Sequence, residues 1–96
     1  MATYVSLVNF TDQGMRNVKD TTDRLAAFKG TAEKLGVSVR SAYYTVGKYD
    51  IILTLEGSDE AVTTAQLKVG SLGNVRTQTL RAFSPEEMKA MLGKLP

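Results

Sequence analysis

Hydrophobic and polar residues alternate along four segments of the chain and recur at helical spacing along two others. The alternating segments are residues 3–10, 37–46, 49–56 and 75–82. We predict strands there, because one side of a half-buried strand recurs at every second residue. Apolar residues three or four apart predict helices over residues 21–35 and 58–72. A glycine follows each helix, Gly36 and Gly73, as is common at helix C-termini.

The predicted order is therefore strand, helix, strand, strand, helix, strand. This is the ferredoxin-like split βαβ arrangement, in which two helices cover one face of a four-stranded antiparallel sheet. We expect a single α+β domain spanning residues 1–96, which is an ordinary length for one domain.

A short additional helix is predicted at the C-terminus. Residues 84–87 read Ser-Pro-Glu-Glu, a capping box with proline at the first helical position. The apolar stripe that follows consists of Met88, Met91, Leu92 and Leu95. We expect this stripe to dock on its own subunit, with bridging of two subunits as the alternative.

The second and third strands are predicted to form a hairpin around Gly47 and Lys48. Pairing outward from this two-residue loop assigns alternate residues to opposite faces of the sheet. The face expected to pack on the helices carries Ala42, Tyr44, Val46, Tyr49, Ile51, Leu53 and Leu55. The other face carries Val37, Val39, Ser41, Tyr43, Thr45, Asp50, Ile52, Thr54 and Glu56.

This second face is mixed, but it is too apolar to be solvated throughout, and Val8 or Phe10 of the first strand is expected to extend it. Two helices cannot cover both faces of one sheet. We therefore expect a second copy of the chain to cover it, giving a homodimer or a multiple of dimers. The alternative is a monomer with scattered exposed apolar residues.

Composition excludes several kinds of chemistry. The chain has no cysteine and no histidine, so disulfides, thiolate nucleophiles and histidine-based catalysis are absent, and so are the usual zinc ligands. We expect no metal and no cofactor. The formal net charge is only +2, and the charges are interspersed, which argues against nucleic-acid or membrane partners. Without a signal-peptide pattern, the expected location is cytoplasmic.

Three segments together resemble the GYD domain family. Residues 47–50, Gly-Lys-Tyr-Asp, are similar to its Gly-x-Tyr-Asp signature, and Phe10-Thr11 followed by Gly14 is similar to its Phe-Thr-x-x-Gly stretch. Residues 73–82 resemble its last strand. The resemblance implies a dimeric α/β-barrel in which two ferredoxin-like sheets close face to face around a cavity. It implies no particular activity, because the family is uncharacterised.

The candidate ligand-binding residues lie on or near the second face. They are Tyr43, Thr45, Asp50, Ile52 and Arg81. A carboxylate beside a phenol can bind a polar ligand, or accept a proton if burial raises its pKa. The alternative for Asp50 is a structural role, bonding to hairpin backbone or to an arginine of the second subunit.

Arg81, like Arg40 and Arg76, can clamp an anionic ligand or form an ordinary salt bridge. The mixed pattern of its strand leaves open whether Arg81 faces the cavity or the rim. No residue can be assigned a catalytic role from the sequence.

Three functions are compatible with these features. The first is a non-catalytic homo-oligomeric module that binds a small molecule or a partner. The second is a purely structural assembly unit. The third is a cofactor-independent enzyme similar to small monooxygenases, whose electron-rich substrates need few protein groups.

Overall fold

Four strands and four α-helices follow one another along the chain in this computed structural model, which describes residues 1–96. The elements are β1 (Ala2–Phe10), α1 (Asp12–Arg16), α2 (Thr21–Lys34), β2 (Ser38–Tyr44), β3 (Ile51–Gly57), α3 (Asp59–Ser71), β4 (Val75–Ala82) and α4 (Pro85–Leu92). A 3₁₀ turn at Val18–Asp20 joins α1 to α2.

The strands form one sheet in the order β2–β3–β1–β4, and all three neighbouring pairs are antiparallel. With α2 between β1 and β2 and α3 between β3 and β4, this is the predicted α+β, ferredoxin-like arrangement. The prediction missed α1, which the side chain of Thr11 caps by accepting the N–H of Gly14.

The core lies between the sheet and the two long helices. Alternate residues of the central strands supply its floor: Tyr4, Ser6, Val8, Ile51, Leu53 and Leu55. The helices cover it with Phe28, Ala32, Val62 and Ala65. Because only one side of each strand is buried in this way, the opposite side of the sheet has no helix over it.

Both long helices end as predicted. Gly36 and Gly73 adopt φ angles of +87° and +85°, in the region where a side chain would be strained. Leu35 N–H bonds back to the carbonyls of Thr31 and Ala32 in the last turn of α2.

The hairpin register is confirmed near the turn, where Tyr43 pairs with Ile52 and Tyr44 with Ile51. The predicted two-residue loop is too short, however. Regular pairing stops at Tyr44 and Ile51, and the chain opens into a wider loop around Gly47, whose φ is +140°.

Two valines assigned to the uncovered face lie on the other side of the sheet. Val39 pairs with Leu55 and packs against the core, and Val37 is buried beside Gly57 just before β2 begins. The reason is a register shift between Val39 and Ser41 that leaves Arg40 as an extra residue. Such a bulge reverses the inward and outward alternation on its two sides.

The expected contribution of β1 to the uncovered face is also corrected. Val8 pairs with Ile51 and is almost completely buried, and Phe10 packs against the same core. The residues of β1 that do reach the uncovered face are Thr3, Val5, Leu7 and Asn9, which alternate with the core residues.

The C-terminal helix has the predicted capping box, with Ser84 and Glu87 accepting each other's backbone N–H. It does not dock on its own subunit as expected. None of its residues is buried, and the stripe from Met88 to Leu95 faces solvent.

None of these helices combines the length and the apolar character needed to cross a lipid bilayer.

Candidate functional site

The uncovered side of the sheet, which we call the open face, brings residues of all four strands together. Registers and alternation place on it Thr3, Val5, Leu7, Asn9, Ser41, Tyr43, Ile52, Thr54, Glu56, Arg76, Gln78, Leu80 and Ala82. Among its apolar side chains, Tyr43 is 68% exposed and Leu80 is 44% exposed, whereas Val5, Leu7 and Ile52 are half-buried. The open face is therefore an extended surface of mixed apolar and polar residues.

Asp50 lies where β3 begins, at the hairpin end of the open face. Its backbone N–H donates to Val8 O at 2.9 Å, and its Oδ2 accepts the Phe10 N–H at 2.8 Å. The carboxylate thus substitutes for a backbone carbonyl where regular pairing of β3 with β1 stops. The structural alternative for Asp50 expected a bond to hairpin backbone, whereas the backbone group bonded here belongs to β1.

The rest of the Gly-Lys-Tyr-Asp segment is held by similar bonds. Asn9 Nδ2 donates to Lys48 O at 2.7 Å, and Thr45 Oγ1 donates to Tyr49 O at 2.6 Å. Together with Asp50, these bonds fasten the wide hairpin loop to the end of β1. The segment acts as a clamp between the hairpin and the central strand.

Tyr49 is the residue of this segment whose predicted face is wrong. Its hydroxyl approaches Gln78 Oε1 at 3.4 Å, a long hydrogen bond to β4. Because Gln78 pairs with Leu7 on the open face, the Tyr49 ring lies on that side and not against the helices. The widened loop explains the difference, since alternation does not continue beyond Ile51. Tyr44, by contrast, reaches Thr21 of α2, as predicted for the helix side.

The five candidate residues are only partly brought together. Tyr43 and Ile52 are cross-strand neighbours on the open face, and Thr45 and Asp50 lie at the adjoining hairpin, where Thr45 N–H bonds to Asp50 O. Arg81 lies elsewhere, because it pairs with Tyr4 on the helix side of β4.

The Arg81 guanidinium is occupied by local contacts. It lies 5.6 Å from the ring centre of Tyr4 and 4.3 Å from that of Phe83, within cation–π range. Its Nη1 also donates to the carbonyls of Thr3 and Ala82. Arg81 therefore ties the chain before α4 to the edge of the sheet.

A second concave feature lies on the opposite side of the sheet, between α2 and α3. This helix cleft has a volume of about 150 Å³ and an apolar floor of Val8, Ile51, Leu53 and Val75. Its walls are formed by Leu25 and Phe28 of α2, Val69 of α3 and Leu72 directly after α3. Sequence reasoning missed it, because apolar positions at helical spacing predict a core and do not report how far apart two helices stand.

One half-buried polar side chain lies at this cleft. Gln66 lines it and donates from Nε2 to Ser6 Oγ at 2.7 Å and to Thr79 Oγ1 at 2.9 Å. Its Oε1 is buried without any hydrogen-bond donor, which is uncommon in folded proteins. The Tyr4 hydroxyl is likewise buried without a partner.

The acidic residues do not cluster, and no group of three or more could hold a metal ion. The only ion pair joins Arg40 of the bulge to Glu56, at 2.8 Å. At the C-terminal helix, the Ser84 N–H is bonded to the Glu87 carboxylate and lowers the pKa of Glu87.

Comparison with known proteins places these features in a family. A Thermus thermophilus protein named glutamine synthetase and cystathionine beta-lyase binding protein is 32% identical over 94 residues, covering 96% of this chain and 99% of that protein. The crystal structure of TTHA0845 from the same organism superposes with a TM-score of 0.55 at 24% identity, covering 88% of this chain and 95% of that one, which supports the fold. The GYD domain model matches residues 4–92, almost the whole chain, including the clamp at Gly47–Asp50. The chain therefore belongs to the GYD domain family.

Proposed function

We propose that this protein is a non-catalytic assembly module that associates with copies of itself through the open face. The observation that carries the proposal is the uncovered apolar surface formed by Val5, Leu7, Tyr43, Ile52 and Leu80. Contiguous apolar patches of this kind usually mark contacts with another molecule. Two open faces set against each other bury these side chains and form a dimeric α/β-barrel.

A second copy of the chain presents the same open face and is therefore a suitable partner for this surface. Two sheets packed face to face are about 10 Å apart, which leaves room for one layer of interdigitating side chains. The open face supplies bulky apolar residues near small or polar ones such as Ser41, Thr54 and Ala82. The exposed apolar stripe of α4 lies outside the core of its own subunit and is free to extend the contact onto the second copy.

The hydrogen bonding of Asp50 supports a non-catalytic role. Its Oδ2 accepts the Phe10 N–H, so the carboxylate has a structural function in holding β1. The chain has neither histidine nor cysteine, the commonest catalytic base and nucleophile. Tyr43 and Ile52 are then contact residues of the interface, not parts of a reaction centre.

Assembly also suits a role in binding other proteins. The Thermus thermophilus relative is named for binding two enzymes, and it aligns with nearly the whole chain. We extend the proposal accordingly: the assembled oligomer is the form that binds larger enzymes. Co-elution of this protein with purified glutamine synthetase in size-exclusion chromatography tests this extension, and independent elution at high concentration of both would reject it.

Sedimentation velocity tests the self-association. The chain has a mass of 10.4 kDa, and we expect the native protein to sediment at twice that mass or a multiple of it. Ile52→Lys places a charge in the proposed contact and should shift the distribution to the monomer. Leu67→Lys is the matched control, because Leu67 is 69% exposed on α3 and belongs neither to the open face nor to the cleft. A native monomer, or dissociation by both variants alike, would refute the proposal.

A further inference from the structure

We infer that the helix cleft is a binding site for a small organic anion with an apolar body, of the class of monocyclic aromatic or branched aliphatic carboxylates. The inference goes beyond self-association, because the cleft and the open face lie on opposite sides of the sheet. Val8, Ile51, Leu53 and Val75 of the cleft floor point away from the open face.

The volume of the helix cleft and the residues that line it indicate the size and shape of the apolar part of the ligand. A volume of about 150 Å³ equals that of an apolar cavity known to accept a benzene ring. Nine of the 16 residues that line it are hydrophobic, with Phe28 as the one aromatic residue among them. Such a cleft favours a single ring or a branched chain and is too small for a dinucleotide or a fused polycyclic ligand.

The charged residues of the cleft indicate that the ligand is an anion. Arg24 and Lys68 both line the cleft, whereas no aspartate or glutamate does. Neither cation is neutralised, since the only ion pair of the structure is Arg40 with Glu56.

Arg24 is also held in place at the cleft. Nη1 donates to Asn17 O at 2.6 Å and Nη2 to Gly14 O at 3.3 Å. The guanidinium keeps its charge and further N–H donors for an anion. Lys68 has a flexible stem and can adjust to the ligand's carboxylate from the other wall.

Gln66 places a side-chain amide in the wall of the cleft. Its Nε2 donates to Ser6 Oγ and Thr79 Oγ1, which holds the side chain in place, and its Oε1 is closed off from solvent. The amide therefore lies next to a bound ligand, and its NMR signal reports on occupancy of the cleft.

The test is a titration of the ¹⁵N-labelled full chain with 4-hydroxyphenylacetate, followed by NMR. We expect saturable shifts at cleft residues and at the side-chain amide of Gln66. The uncharged analogue 4-hydroxyphenylacetamide should bind about two- to fivefold more weakly, the effect of one exposed charge pair. Lys68→Met leaves only Arg24 and should reduce that difference, whereas Lys29→Met, an exposed lysine of α2 outside the cleft, should preserve it.

A variant that fills the cleft provides an independent check. Ala27 lines the cleft from an exposed position of α2, so Ala27→Phe should occupy the volume without disturbing the core. Loss of the shifts in this variant, with an otherwise unchanged spectrum, is expected. Absence of saturable shifts in the native chain, shifts confined to the open face, or equal binding of acid and amide would each overturn the inference.

Discussion

At the scale of single residues, the clearest result is the hydrogen bond of the Asp50 side chain. The sequence places an acid next to an apolar strand, and the position is compatible with either ligand binding or a structural bond. The structure shows its carboxylate accepting the Phe10 N–H at 2.8 Å, at the point where β3 no longer offers a carbonyl. The partner could not be predicted, because it lies 40 residues away in the sequence and depends on where pairing stops.

Replacing Asp50 should therefore cost stability. Asp50→Ala removes the acceptor and leaves the partly buried Phe10 N–H unpaired, so we expect the free energy of unfolding to fall by about 2 kcal/mol. Asp50→Asn keeps an acceptor oxygen and should lose less. Urea denaturation followed by circular dichroism measures both. Equal stability of all three proteins would show that the hydrogen bond contributes nothing and would favour a ligand-binding role.

Gly14 is a second residue whose role is explained by its immediate contacts. A Cβ atom added there would lie 1.9 Å from the carbonyl oxygen of Asn74, so α1 approaches the start of β4 too closely for any side chain. The Phe-Thr-x-x-Gly stretch is thus explained by packing between two backbones. The Thr11 N–H bond to Asn74 O, at 3.0 Å, holds the same contact.

Gly14→Ala should accordingly destabilise the protein by about 1–3 kcal/mol, the usual cost of overpacking a tight contact. Gly30→Ala is the matched control: Gly30 lies in α2 with no atom within 4 Å of its added Cβ, and alanine there should stabilise by about 0.5–1 kcal/mol. Thermal unfolding of the two variants should move in opposite directions. A tolerated Gly14→Ala would mean that α1 shifts freely relative to β4.

At the scale of elements, the strands and long helices could be predicted because their signals lie within short stretches of sequence. Periodicity located the four strands and the two long helices, and Gly36 and Gly73 mark the observed helix ends. The bulge at Arg40 was not predictable. An extra residue in one strand becomes visible only when the residue pairing with the neighbouring strand is known. That single residue explains why Val37 and Val39 were assigned to the wrong face.

The C-terminal helix is stabilised at its N-terminus by charge as well as by hydrogen bonds. The Ser84 N–H bonded to the Glu87 carboxylate lowers the pKa of Glu87 from its ordinary value of 4.5. A lowered pKa means that the ionised form is favoured in the helix. Its contribution is therefore complete above pH 4.5 and is lost as the pH falls through the lowered pKa of Glu87.

We expect the amide proton of Ser84 to shift upon acidification, with a midpoint below 4.5, as α4 frays. An NMR pH titration measures this directly. Glu87→Gln should abolish the titration while keeping the cap, since glutamine serves in the same box. Glu86→Gln, at an exposed neighbour outside the box, should leave it unchanged. A Ser84 shift that persists in Glu87→Gln would contradict the assignment.

At the scale of the whole molecule, we propose different roles for the two sides of the sheet. Alternation in the hairpin predicts a second face with no helix over it, so the open face could be predicted even though some of its residues were misassigned. The helix cleft could not, because it depends on the separation of α2 and α3 in space. The side of Arg81 was left open for a related reason: where a strand has mixed polarity, its pairing decides the face, and here Arg81 pairs with Tyr4.

The central claim is that the open face is covered by a second copy of the chain. The chain contains only two isoleucines, Ile51 and Ile52, and the adjacent pair lies on opposite sides of β3. Ile51 is 6% exposed in the core, whereas Ile52 belongs to the open face. Isoleucine methyl groups therefore report separately on the two sides of the sheet.

The most direct measurement is an isotope-filtered NOE experiment on a sample mixed from Ile-methyl-labelled and unlabelled chains. The account predicts intermolecular NOEs to the Ile52 methyl groups and none to those of Ile51. Intermolecular NOEs absent from both residues would contradict it, and so would NOEs to Ile51 alone, because the contact would then lie somewhere other than the open face.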